Sequence, residues 1–121
     1  MERTTALERL ENNLKGFLYK TAESYIKNLL RLGKSRIEAE RLAVWDWPHG
    51  VGLYGIYKQY LYTKDATVLD YLERWFDSRI EFGLPEKTVN TVAPLLTLAF
   101  LYEARPKEIY RTIMLEWADW I

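Results

Sequence analysis

Val51-Gly52-Leu53-Tyr54-Gly55-Ile56-Tyr57-Lys58-Gln59-Tyr60-Leu61-Tyr62 is the run that decides the fold. Val51, Tyr54, Tyr57 and Leu61 recur at three- and four-residue steps, the period of one helix face. About forty residues later, Val92-Ala93-Pro94-Leu95-Leu96-Thr97 opens a second run of the same plan. Each begins with Val and a small residue (Gly52, Ala93), and each ends in Leu-Tyr (Leu61-Tyr62, Leu101-Tyr102). A tight turn follows both. Each next helix then carries Trp-x-Asp, as Trp75-Phe76-Asp77 and Trp117-Ala118-Asp119. This spacing belongs to two-helix repeats, so the expectation is an all-α chain of helical hairpins.

Working outward, the remaining segments also read as helices. Leu7, Leu10, Leu14 and Phe17, then Ala22, Tyr25, Ile26, Leu29 and Leu30, fall at helical steps. Gly16 interrupts them, so one bent helix or two shorter ones are both compatible with the pattern. Gly33 is placed to cap their end. Ser35-Arg36-Ile37-Glu38 matches a capping box and predicts a helix from Arg36 to about Val44. After the Trp-rich stretch, a helix is expected from Val51 to about Tyr62. Asp65 predicts an N-cap for a helix with Val68, Leu69, Leu72, Trp75, Phe76 and Ile80 on its apolar face. Thr91 reads as the N-cap of a helix reaching Ala104, with Pro94 in its first turn. Pro106 reads as the first residue of a last helix. No segment alternates with a two-residue period, so no large sheet is expected.

Composition narrows the function classes. The chain has 121 residues, with 17 basic and 17 acidic side chains and no block of one sign, which gives no electrostatic footprint for nucleic acid. It has no cysteine, so it offers no disulfide, no thiolate nucleophile and no cysteine metal site. A single histidine and scattered carboxylates lack the spacing of a metal centre, and no glycine loop cradles a phosphate. No cofactor and no metal are therefore expected. The first residues lack an apolar signal core, and the apolar run from Val92 to Leu101 is too short to span a bilayer and contains Pro94. A cytoplasmic protein with no membrane partner is the expectation.

One stretch concentrates chemistry: Trp45-Asp46-Trp47-Pro48-His49-Gly50. Indole faces stack on sugar rings, and a carboxylate and an imidazole hold or move protons. If the hairpin repeat is real, this stretch and Lys87-Thr88-Val89-Asn90-Thr91 occupy equivalent places, each before the first helix of a hairpin. Trp45, Asp46, Trp47, His49, Asn90 and Thr91 would then gather around one mouth and bind substrate. Each residue also has a plainer use. The two indoles alternate around Asp46 and should point different ways, so at most one stacks on a ligand. Asp46 can cap a helix or sit at the surface, and His49 can be a structural hydrogen-bonder or donate to a uronate carboxylate. Capping is the simplest use for Asn90 and Thr91. Trp75, Trp117 and Trp120 read as core.

Trp45-Asp46-Trp47-Pro48-His49-Gly50-Val51-Gly52-Leu53-Tyr54-Gly55, taken with Thr88-Val89-Asn90-Thr91-Val92-Ala93-Pro94-Leu95-Leu96-Thr97-Leu98-Ala99, resembles the unsaturated rhamnogalacturonyl hydrolases. These form glycoside hydrolase family 105, related to the family 88 unsaturated glucuronyl hydrolases. The resemblance runs from about Lys20 to Ile121. It implies a six-hairpin (α/α) toroid and a substrate whose terminal uronyl ring carries a C4=C5 double bond, linked to rhamnose in pectin. It implies hydration of that double bond, started by a carboxylic acid. The family's principal acid follows a Gly-Gly-Phe stretch that this sequence does not contain, so the resemblance covers an N-terminal part of the toroid whose acid is expected beyond Ile121. That reading makes the chain alone inactive and prone to self-association through exposed apolar hairpin faces. A second family carboxylate would fall at Asn90 or Thr91, neither of which is an acid. The alternative is a non-catalytic helical-repeat module that binds a sugar or a protein.

Overall fold

The computed structural model describes residues 22–121, together with Arg9, Asn13, Gly16 and Lys20. The apolar positions Leu7, Leu10, Leu14 and Phe17, and with them the choice between one bent helix and two, lie outside the described residues. Among the described residues the helices follow one another as α1 (22–31), α2 (Arg36–Val44), α3 (Trp47–Thr63), α4 (Ala66–Phe82), α5 (Pro94–Ala104) and α6 (Glu108–Trp120). There is no strand among the described residues.

Local chemistry explains most boundaries. Gly33 takes φ +90°. The Lys34 N–H then reaches the Leu29 carbonyl at 3.0 Å and the Gly33 N–H reaches Leu30 at 3.1 Å, the paired closure of a Schellman cap. Ser35 caps α2, its hydroxyl accepting the Glu38 N–H at 3.3 Å. The reciprocal arm of the expected capping box goes elsewhere. The Glu38 carboxylate accepts the Glu86 N–H at 2.8 Å and so fastens α2 to the loop after α4. Asp65 caps α4 as expected, accepting the Thr67 N–H at 3.0 Å and its hydroxyl at 2.8 Å.

Three helix starts differ from the sequence reading. α3 begins at Trp47, ahead of Val51, because Pro48 sits in the first turn, where its fixed φ suits a helix and its missing N–H has no intrahelical partner to lose. Only Trp45 and Asp46 remain as connection. α5 begins at Pro94, behind Thr91, with Ala93 at the N-cap and the proline in first position. The Thr91 hydroxyl serves the preceding turn instead. α6 begins at Glu108, after an extended Lys107, which leaves Pro106 outside the helix.

α3 and α4 form one hairpin, and α5 and α6 a second. The two pack through a shared core that includes Trp45, Leu53, Leu72, Phe76, Leu98, Leu101, Tyr110 and Trp117. α3 and the N-cap of α5 lie close together at Gly50, where an added Cβ would lie 2.6 Å from the Ala93 Cβ and 2.7 Å from its carbonyl carbon. This contact sets the first turns of the two helices side by side. A smaller cluster of Leu29, Ala39 and Leu42 joins α1 to α2. Of the tryptophans assigned to the core, Trp117 is buried, Trp75 is half-buried and Trp120 is 48% exposed. No helix among the described residues is long and apolar enough to cross a membrane.

Candidate functional site

Asp46 occupies the N-cap position of α3 in extended conformation, where an aspartate ordinarily accepts a backbone N–H. Its side chain makes no such bond. One carboxylate oxygen lies 3.1 Å from His49 Nδ1, one helical turn on. An ionised carboxylate only accepts, so Nδ1 is the donor and the proton sits on that nitrogen. The ring plane of His49 stacks on Trp75 of α4, with centroids 6.3 Å apart and planes 25° from parallel. The imidazole is therefore held by a charge at one nitrogen and by an indole against its face. Nε2 is the nitrogen left for a ligand.

Trp47 begins the same turn and is 57% exposed. Among the described residues, Asp46, Trp47, Pro48 and His49 line a cavity of about 240 Å³, together with Ala22 and Tyr25 of α1 and Ala43 of α2. Burial pushes the Tyr25 phenol above its ordinary pKa. The negative charges of Asp46 and Glu86 push it the same way, and Lys34 opposes them. The Lys34 ammonium is itself paired with Glu86 at 2.6 Å.

The remaining expected site residues are placed differently. Trp45 is 1% exposed and belongs to the core rather than to a mouth. Its ring stacks on Trp75 with centroids 5.7 Å apart, meets the edge of Phe76, and its indole N–H donates to the Thr91 carbonyl at 2.9 Å. A buried indole needs such an acceptor. Thr91 is also buried, and its hydroxyl accepts the Thr88 N–H at 2.7 Å and meets the Glu86 carbonyl at 2.9 Å. Asn90 is exposed and is not among the cavity walls. The two lead-in segments are neighbours as expected, joined by the Trp45–Thr91 bond. Only Asp46, Trp47 and His49 reach the cavity. Tyr25 is the wall residue that sequence reasoning missed, because on α1 it reads as one more apolar position.

Two other features stand apart from this site. Arg105 binds Asp70 at 2.5 Å and Glu73 at 2.8 Å, Lys107 binds Glu73 and Asp77 at 2.7 Å each, and the Tyr110 hydroxyl donates to Asp77 at 2.6 Å. Lys107 and Arg105 hold the Glu73 carboxyl below its ordinary pKa, and Asp77 and Glu73 hold Lys107 above its own. Every charge in this network has a partner, and it locks α4 to the turn between α5 and α6. A second cavity, of about 570 Å³, lies among α3, α5 and α6. Its walls, such as Val51, Leu96, Met114 and Ile121, are almost all aliphatic, with neither a charge nor an imidazole. No group of three or more His, Asp or Glu able to hold a metal ion occurs among the described residues.

Comparison with known proteins supplies the context for this geometry. The profile of Glycosyl Hydrolase Family 88 matches residues 19–121. An unsaturated rhamnogalacturonyl hydrolase of Bacillus subtilis, YesR, is 34% identical over 77 residues, which cover 64% of this chain and 22% of that protein. A crystal structure from Klebsiella pneumoniae, described as a possible member of the GH105 family, aligns with TM-score 0.60 at 46% identity, over 63% of this chain and 20% of its own. The matched segments thus span about a fifth of each relative's length. The helical hairpins are those of a six-hairpin toroid fold, of which this chain carries a part.

Proposed function

The chain belongs to Glycosyl Hydrolase Family 88, and from that premise we propose that it forms part of the substrate pocket of an enzyme that hydrolyses unsaturated uronyl-rhamnose oligosaccharides. The reaction is hydration. A carboxylic acid delivers a proton to C4 of the enol ether, and water adds its oxygen to C5 and returns a proton. The resulting hemiketal opens to a C5 ketone, and the hemiacetal left at C1 expels the neighbouring sugar as an alcohol.

In this reading the segment supplies binding and orientation, and the principal acid comes from a part of the enzyme matched by later regions of its relatives. The observation that carries the proposal is the Asp46–His49 pair beside the exposed Trp47 face at the 240 Å³ cavity. Asp46 forgoes capping to hold an imidazole whose free nitrogen can meet a hydroxyl. Trp47 offers a flat apolar face of the kind that sugar rings cover, and Tyr25 adds a phenol to the same lining. The similarity to the Bacillus subtilis enzyme supports the unsaturated uronyl-rhamnose substrate.

Binding, not turnover, is the fitting readout. Titration of the chain with an unsaturated galacturonyl-rhamnose disaccharide should perturb the indole signal of Trp47. Exchange of Trp47 for alanine should weaken binding by roughly tenfold, since one aromatic face contributes about 1 kcal/mol beyond its buried area. Equal affinity in wild type and Trp47→Ala would remove the lead-in to α3 from the pocket.

A further inference from the structure

The motif Trp-x-Asp recurs in the second helix of each hairpin, and in both places its indole meets the segment that starts the same hairpin. The Lys87 ammonium, from the lead-in to α5, stands 5.7 Å from the ring centroid of Trp117 in α6. Trp75 of α4 lies against Trp45 and His49, at the start of α3. At Trp117 the supported group is a lysine. At Trp75 it is the histidine of the candidate site.

Trp75 bridges core and site. Its ring stacks on the buried Trp45 with centroids 5.7 Å apart and planes 20° from parallel, and it meets Phe76 edge-to-face at 5.0 Å. The same ring stacks on His49 at 6.3 Å and 25°. Arg79, one turn further along α4, brings its guanidinium carbon to 6.0 Å from it. Trp45 and Phe76 are closed off from solvent, whereas the His49 side chain keeps 25% of its surface open. His49 is among the described residues that line the 240 Å³ cavity and Trp75 is not. Trp75 therefore acts on a ligand in that cavity through the imidazole.

A single hydrogen bond fixes a point, not a plane. The 3.1 Å contact with Asp46 settles which nitrogen of His49 carries the proton, and about that contact the ring can still swing. A flat partner against its face removes the freedom. Because Trp75 is itself packed on Trp45 and Phe76, the plane it imposes is anchored in the core. Resting on the sugar-binding reading above, we propose that Trp75 is the positioning residue of the site. It fixes the plane of the His49 imidazole, and so the direction of the ring nitrogen that Asp46 does not hold.

The chain has one histidine, so its ring signals in an NMR spectrum are assigned at once. In the unaltered chain, long-range proton–nitrogen correlations of the neutral ring should report one tautomer, with the proton on Nδ1. Trp75→Leu should introduce the second tautomer and weaken the unsaturated galacturonyl-rhamnose disaccharide by roughly two- to tenfold. Trp75→Phe, which restores a flat ring, should recover most of both. His49→Ala should weaken the disaccharide by itself, and adding Trp75→Leu should weaken it no further, the non-additivity of two residues that act as one. Phe76→Leu cuts into the same core, so it should lower the melting temperature and leave tautomer and affinity unchanged. A single Nδ1–H tautomer in folded Trp75→Leu would overturn the proposal, as would additive losses in the double variant. Equal effects from Phe76→Leu and Trp75→Leu would do so too, since a loosened core would then explain both. Nuclear Overhauser contacts between the His49 and Trp75 rings need no variant, and their absence in the unaltered chain would overturn the proposal even where Trp75→Leu does not fold. If the tautomer responds as expected and the unaltered chain binds no disaccharide, the sugar-binding reading fails while Trp75 still positions His49.

Discussion

The lead-ins to α3 and α5 occupy matching places in successive hairpins, and they use their polar side chains in opposite ways. Before α5, Thr91 is buried, and its hydroxyl and backbone satisfy Thr88 and Glu86. Every one of those bonds closes a turn. Before α3, Asp46 stands at the N-cap and leaves the cap unmade. It holds His49 at a cavity instead. A cap residue that does not cap is a better pointer to a site than its residue type alone. The same type at Asp65 bonds Thr67 in the ordinary way.

Variants at these places should separate structure from site, and the largest effect is expected at Trp45. Its indole joins the two lead-ins, packed on Trp75 and Phe76 and bonded to the Thr91 carbonyl. Trp45→Ala should cost about 3–5 kcal/mol of stability in a denaturant titration. A loss under about 1 kcal/mol, within the range of surface changes, would place the residue with Trp47 as a site side chain and break the contrast.

Next comes Gly50. Its Cα faces Ala93 so closely that an added methyl meets both Cβ and backbone. Gly50→Ala should cost about 1–3 kcal/mol by overpacking. Adding Ala93→Gly should recover only part of that, because the carbonyl carbon at 2.7 Å remains. Full recovery would mean that only the two side chains, and not the backbones, fix the crossing of α3 and α5.

Thr91→Val keeps the volume and removes the hydroxyl. The Thr88 N–H and the Glu86 carbonyl then lose a buried partner, at about 1–3 kcal/mol. Affinity for the disaccharide should change no more than the loss of folded protein explains. A large drop in affinity with intact stability would return Thr91 to the substrate-binding set.

The hairpins were legible in the sequence because they rest on local signals. Helical spacing marked α2 to α6, and Gly33, Ser35 and Asp65 cap where their side chains or φ values dictate. The misplaced starts all involve proline, whose tolerance for a helix's first turn leaves its position open by a few residues. Pro48 lies inside α3, Pro94 opens α5 and Pro106 stays out of α6. The site was legible to the extent that it is contiguous in sequence, as Asp46, Trp47 and His49. That Trp45 rather than Trp47 turns inward depends on Trp75, Phe76 and the Thr91 carbonyl, which are remote in sequence. Tyr25 comes from α1, and nothing in its own neighbourhood marks it as facing a carboxylate and a histidine.

The smallest stability change is expected at Asp46, and it bears most directly on the contrast between the two aspartate caps. Asp46→Ala removes no cap bond, so it should alter stability by less than about 0.5 kcal/mol while weakening disaccharide binding through a loosened His49. Asp65→Ala removes two hydrogen bonds from Thr67 and should lower the melting temperature by more. The pH dependence should differ too. The Thr67 bonds hold the Asp65 carboxyl below its ordinary pKa. Its contribution is therefore fully present above the ordinary aspartate range and is lost as the pH falls through and below it. Asp65→Ala should flatten that part of the melting-temperature profile. If Asp46→Ala matched Asp65→Ala in lost stability, the Asp46 carboxylate would be a cap in solution, and its hold on His49 would no longer distinguish the two lead-ins.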